Sequence, residues 1–124
     1  MIRIGTDILE IARLEAVLER QGQRFVDRIL TPDERAEYAA SATPVRLLAK
    51  RFAAKEAIAK ALGTGIGRGV SWQHMQINHD DMGAPRVRLT QGALEIAQAH
   101  GTPNVALSLA DEQRYVVAFA VLSQ

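Results

Sequence analysis

Apolar positions recur along this chain with two different periods, and the period changes near its middle. Ile2 and Ile4 share one face of a strand predicted over 2–7, which ends in Gly5-Thr6-Asp7. Ile11, Leu14 and Leu18 then recur at three- and four-residue spacing, predicting a helix over 9–21 with Gly22 at its stop. Residues 25–30 read as a further short helical piece. Thr31-Pro32-Asp33-Glu34 is a helix start, in which Thr31 caps, Pro32 takes the first position and Glu34 completes a capping box. That helix ends near Ala40, and Thr43-Pro44 repeats the start signal. A long helix over 45–62 follows, with Leu48, Phe52 and Ala59 along one side and Leu47, Ala54, Ile58 and Leu62 along an adjoining one, and Gly63 ends it.

The second half alternates instead. Met75 and Ile77 face one way in a strand predicted over 72–78, Asp80-Asp81-Met82-Gly83 turns the chain, and residues 86–89 form the return strand of a hairpin. Residues 91–100 read as a helix closed by Gly101. Val105, Leu107 and Leu109 alternate with small residues in a half-buried strand, 110–114 turns, and the nearly continuous apolar run 115–122 predicts a central strand. The order is strand, three helical segments, two strands, helix, two strands. It predicts an α+β fold with a mostly antiparallel sheet against a long central helix and shorter helices, in one domain over 1–124.

Composition narrows the function. A net charge of +1 over 124 residues argues against a general nucleic-acid binder. The chain has no cysteine, so any metal sits on carboxylates, histidines, carbonyls or water. No apolar run approaches the roughly 20 residues that span a bilayer, and the N-terminus lacks the pattern of a signal peptide, so a cytoplasmic protein away from membranes is expected. With aromatics at only 5%, the core must be largely aliphatic, and a domain this small gains by oligomerising.

The densest chemistry lies in Arg51-Phe52-Ala53-Ala54-Lys55-Glu56-Ala57-Ile58-Ala59-Lys60-Ala61-Leu62 and the following Gly63-Thr64-Gly65-Ile66-Gly67. Glu56 and Lys60 are four residues apart, on one helix face. A surface ion pair explains that spacing; so does a phosphate site with a hard metal ion. Gly63 serves as a C-cap, whereas the further glycines at 65, 67 and 69 would let bare backbone N–H groups approach a phosphate. Asp7 is either an N-cap or a metal ligand at the edge of a sheet. Lys50, Arg51, Lys55 and Lys60 are either a solvated face or a lining for a polyanion such as a nucleotide. Arg20, Arg24 and Arg28 near Phe25 are either exposed helix charge or a docking surface for an acidic protein. His74, His79 and His100 have no metal-ligand spacing and read as surface or structural residues.

These residues resemble the holo-acyl-carrier-protein synthases, the small trimeric class of 4′-phosphopantetheinyl transferases, over essentially the whole chain. Ile4-Gly5-Thr6-Asp7-Ile8 is similar to the family's first motif; Phe25 and Arg28-Ile29-Leu30-Thr31 to the next block; the run from Arg51 through Ile66 to its signature; and Gly83-Ala84-Pro85 to its Gly-x-Pro turn. The resemblance implies transfer of the 4′-phosphopantetheine arm of coenzyme A to a serine of apo-acyl carrier protein, in support of fatty acid biosynthesis, leaving adenosine 3′,5′-bisphosphate. It implies that Asp7 and Glu56 bind Mg²⁺, and that Lys60 contacts the phosphates and assists the leaving group. Glu56 or a metal-bound water would take the serine proton. Coenzyme contacts would come from Lys50, Arg51, Lys60, Gly63, Thr64, Gly65, Gly83, Pro85 and Ser108. The resemblance also implies a homotrimer with sites at subunit interfaces, in which the neighbour supplies Gly83-Ala84-Pro85 and the strand over 105–109. Carrier protein would dock on Arg13, Arg20, Arg24, Phe25 and Arg28.

One position departs from the pattern: Ala106 stands where many relatives have a histidine near the coenzyme, leaving Ser108 and backbone groups to serve there. Two other readings follow. A transferase could serve polyketide or peptide carriers, and a non-catalytic trimer could merely bind coenzyme A or a carrier.

Overall fold

The computed structural model describes residues 1–124. Its elements are β1 (Ile2–Glu10), α1 (Ile11–Gln21), α2 (Gln23–Ile29), α3 (Pro32–Ala40), α4 (Pro44–Leu62), a 3₁₀ turn (Trp72–His74), β2 (Met75–His79), β3 (Pro85–Leu89), α5 (Gln91–Ala99), β4 (Asn104–Asp111) and β5 (Tyr115–Ser123). Thus the α+β order read from the sequence holds.

Two boundaries differ most from expectation. The first strand runs on to Glu10, because its backbone stays paired with β5 out to Tyr115, so the helix begins at Ile11 and not at residue 9. The predicted strand over 72–78 opens as a 3₁₀ turn, capped by the Ser71 hydroxyl accepting from the Gln73 N–H.

The strands form two antiparallel units, a three-stranded sheet in the order β1-β5-β4 and the β2-β3 hairpin. β5 is central, as its apolar run predicted, and its residues alternate between a buried and an open face. One face of the sheet lies on α4. Val116, Ala118, Ala120 and Leu122 of β5 are buried there, together with Leu48, Ala49, Ala53, Ala57, Ile58 and Ala61 of the helix. The many alanines let strand and helix backbones approach closely. Gly5 marks the tightest point: a Cβ at that position would fall inside the backbone at Ala57 and lie 2.6 Å from Ala61 N. Arg3 locks the same contact by donating through Nε to Ala61 O at 2.8 Å. No helix is long and apolar enough to cross a membrane.

A buried ionic cluster ties the helices to the hairpin. The Lys55 ammonium, fully buried, donates to Glu34 Oε1 at 2.6 Å, to Ile29 O at 2.8 Å and to Trp72 O at 3.1 Å. Glu34 also accepts from Thr31 N, completing the predicted capping box, and from Ile77 N in β2. Burial pushes the Lys55 ammonium below its ordinary pKa, and the Glu34 charge opposes that shift.

The outer face of the sheet is apolar and open. Ile4 and Ile8 are 61% and 67% exposed, and Val117 and Phe119 about 40%. By register, Ile4 lies beside Val121, Ile8 beside Val117, and Phe119 beside Ser108.

Candidate active site

Asp7 and Glu56 line one groove of about 370 Å³, together with Arg13, Phe25 and Phe52. The strand period turns Asp7 to the helix side of β1, and α4 presents Glu56 and Lys60 one turn apart beside it. Asp7 is within a strand, so it is no N-cap; the cap position of α1 is Glu10. Nor do Glu56 and Lys60 form the surface pair that their spacing permits. Lys60 Nζ instead donates to Asp7 Oδ1 at 3.1 Å and to Thr6 O at 2.9 Å. Glu56 Oε1 accepts from the indole Nε1 of Trp72 at 3.1 Å.

Each acid therefore has one oxygen held by a neighbour, while its second oxygen has no hydrogen-bond partner in the chain. Burial pushes the Glu56 carboxyl above the ordinary carboxylate range, and the Asp7 charge adds to the rise, against the Trp72 hydrogen bond and Lys60. Two carboxylates sharing a groove, each with a spare hard oxygen, fit a divalent cation such as Mg²⁺. That ion takes one or two protein carboxylates and fills its shell with phosphate and water. There is no cluster of three or more acidic, histidine or cysteine ligands that would form an all-protein metal cage.

The glycine loop departs from expectation. Gly63 caps α4 in the left-handed conformation, with φ 84°. However, the N–H groups of Gly63, Gly65 and Gly67 donate to Lys60 O, Ala59 O and Val70 O, so they are not a bare cradle for phosphate. The Thr64 hydroxyl donates to Gly65 O. The loop is held in place where Gly92 touches it, since a Cβ at Gly92 would run into the backbone of Gly69.

Arg51 does not reach this groove either. It is 2% exposed, and its guanidinium is taken by Glu37 at 3.1 Å and Glu34 at 3.5 Å. Arg51 instead joins the ionic cluster and lines a second, polar groove. Lys50 lies in that polar groove with Arg46, Glu37 and His79, paired to Asp111 at 3.4 Å. Gly83 and Pro85 are on the β2-β3 hairpin, and Ser108 and Ala106 are on the outer face of the sheet. The sheet itself separates Ser108 from Asp7, which faces α4.

Among the basic residues read as a docking surface, Arg13 lines the groove, and Arg20, Arg24 and Arg28 are exposed on α1 and α2. Phe25 is 7% exposed and packs on Phe52 with ring centroids 6.1 Å apart, so it is a wall of the groove more than a surface anchor. The histidines are structural where they make contacts: His74 Nδ1 accepts from Ser71 N, and the His100 ring bonds Leu62 O. Trp72 is the site residue that sequence reasoning missed. Its only signal was being the sole tryptophan of the chain, at the first position of a predicted strand.

A family profile described as the 4′-phosphopantetheinyl transferase superfamily matches residues 3–120. The chain is 55% identical to a holo-[acyl-carrier-protein] synthase of Shewanella amazonensis, with 98% of both chains covered. It is 47% identical to one of Pectobacterium carotovorum, with 98% of this chain and 97% of the relative covered. Among solved structures, the Neisseria meningitidis holo-[acyl-carrier-protein] synthase superposes with TM-score 0.92 at 44% identity over 100% of both chains. The Helicobacter pylori enzyme in complex with coenzyme A superposes with TM-score 0.83 at 30% identity over 97% of this chain and 99% of that one. With Asp7 and Glu56 sharing one groove, Lys60 of the signature helix bonded to Asp7, and matches of this extent, the chain belongs to the 4′-phosphopantetheinyl transferase superfamily.

Proposed function

We propose that this protein is a holo-acyl-carrier-protein synthase, which moves the 4′-phosphopantetheine arm of coenzyme A to a serine of apo-acyl carrier protein and so supports fatty acid biosynthesis. The convergence of Asp7 and Glu56 in one groove, with Lys60 bonded to Asp7, carries this reading. The serine oxygen forms a bond to the phosphorus that bears the pantetheine arm. The bond from that phosphorus to the oxygen leading to adenosine breaks, and adenosine 3′,5′-bisphosphate leaves. In such displacements positioning and charge neutralisation supply most of the rate.

Asp7 and Glu56 would hold Mg²⁺, which when bound neutralises the diphosphate. Lys60, 54% exposed and bonded to Asp7, would meet negative charge growing on the leaving phosphate. The serine proton needs an acceptor, and Glu56 or a water on the bound metal would take it. Arg13, Arg20, Arg24 and Arg28 would receive the acidic carrier.

The reading includes a homotrimer in the cytoplasm, working as one domain per chain. Ile4, Ile8, Val117 and Phe119 form an open apolar face that further copies of the chain would cover. Ser108 on that face, and the hairpin with Gly83 and Pro85, would then complete a neighbour's site with coenzyme contacts that one protomer cannot assemble alone. Lys50, Thr64 and Gly65 would line the same coenzyme path.

Incubating the protein with coenzyme A, Mg²⁺ and an apo-acyl carrier protein tests the activity directly. Mass spectrometry should show the carrier gaining one phosphopantetheine group. An unmodified carrier, with coenzyme A still bound by the protein, would instead identify a binding domain.

A further inference from the structure

We propose that Trp72 is a positioning residue for the metal-binding carboxylate of Glu56, an inference that rests on the metal reading above. The indole N–H holds Glu56 Oε1 at 3.1 Å, so only the second oxygen is free to meet a cation beside Asp7. A half-buried glutamate on a helix otherwise samples several rotamers, and ordering it on each binding event costs free energy. Fixing it beforehand removes that cost from metal binding. Outer partners of metal ligands orient them in this way, and removing one weakens binding about 10- to 100-fold.

The indole is itself over-determined, as a positioning group must be. Its ring packs on Phe52, with centroids 6.4 Å apart and planes 29° from parallel. The Trp72 backbone carbonyl accepts from the buried Lys55 ammonium at 3.1 Å. The next residue, Gln73, donates through Nε2 to Asp27 O, Arg28 O and Leu30 O. Lys55 and Glu56 are consecutive in α4, so one step of the helix grips Trp72 at both ends. Lys55 holds the backbone from the core side, and Glu56 receives the indole on the groove side. Phe25 and Phe52 line the groove, and Trp72, packed on Phe52, reaches the acid.

The test is Mn²⁺ binding, followed by electron paramagnetic resonance with saturating coenzyme A present, for the unaltered protein, Asp7→Ala and Trp72→Phe. Phenylalanine keeps a ring against Phe52 and deletes only the N–H donor. We expect Trp72→Phe to bind Mn²⁺ about tenfold more weakly. The Mg²⁺ needed for half-maximal transfer should rise by the same factor, with kcat at saturating Mg²⁺ and KM for the carrier nearly unchanged. A purely structural role would instead lower kcat and thermal stability and leave metal affinity alone.

Because Trp72 is the only tryptophan, replacing it biosynthetically with its benzothienyl analogue removes the N–H without changing the ring's shape, and should give the same tenfold loss. This arm decides the matter if Trp72→Phe does not fold. Equal Mn²⁺ affinity in the analogue-substituted and unaltered proteins would overturn the positioning role alone. Failure of the unaltered protein to bind Mn²⁺, or full binding by Asp7→Ala, would overturn the metal reading and this proposal with it.

Discussion

Lys60 Nζ lies 3.1 Å from Asp7 Oδ1, across 53 residues of sequence. The lysine bridges the strand and the helix that each supply an acid to the groove, and it leaves the second oxygen of Asp7 without a protein partner. Asp7→Asn keeps an acceptor for Lys60 but removes the charge that would face a cation. Transfer should fall by more than about 100-fold, the upper range for losing only an outer partner of a ligand. Glu56→Ala should do the same. Near-normal turnover of either variant at low Mg²⁺ would refute the metal assignment.

Gly5 sets the distance between the two acids, because β1 can rest on α4 only where no side chain intervenes. Gly5→Ala should destabilise the fold by about 3 kcal/mol, since neither backbone can yield without moving the sheet. Urea unfolding measures this loss. The surviving folded fraction should also bind Mn²⁺ more weakly, as Asp7 moves away from Glu56.

The raised carboxyl of Glu56 makes a signed prediction. Its folded pKa exceeds the unfolded value, so the folded chain holds that proton more tightly, and the charged carboxylate costs stability above the raised pKa. Glu56→Gln should therefore raise the melting temperature of the metal-free protein at neutral pH. The advantage should shrink as pH falls through the raised pKa and vanish below the ordinary glutamate value. The same variant should lose Mn²⁺ binding, a gain in stability at the expense of function. Melting curves across pH with and without Mn²⁺ read both effects.

Phe119 sits between Thr6 and Ser108 on the open sheet face. Phe119→Lys should convert the proposed trimer to monomer in sedimentation analysis and abolish transfer. Mn²⁺ binding should survive at least in part, because Asp7 and Glu56 belong to one protomer. A fully active monomer would contradict shared sites.

Reversing charge at Arg13 and Arg24 should raise KM for the acidic carrier about tenfold and leave KM for coenzyme A nearly unchanged. The difference from the unaltered protein should narrow at high salt, as screening removes the steering charge.

Local chemistry made much of this protein legible in its sequence. The capping box Thr31-Pro32-Asp33-Glu34 and the Gly63 stop depend on neighbours within four residues, and both form as read. The apolar run of β5 announced a central strand, and β5 does pair on both edges, although only alternate residues of the run are buried. The motif resemblance pointed to Asp7, Glu56 and Lys60. Their meeting was decided by tertiary structure, through the backbone contact at Gly5 and the register of β1 on β5.

Partner choice was likewise a tertiary decision. The Glu56–Lys60 spacing suggested a pair, yet Lys60 found Asp7 and Glu56 found Trp72, since a side chain bonds whatever the fold brings within reach. Arg51 looked like a ligand contact and is buried against Glu34 and Glu37, because helix periodicity carries it away from the groove. Sequence spacing fixes which residues share a face of one element; which faces meet depends on packing between elements, and no local pattern encodes that.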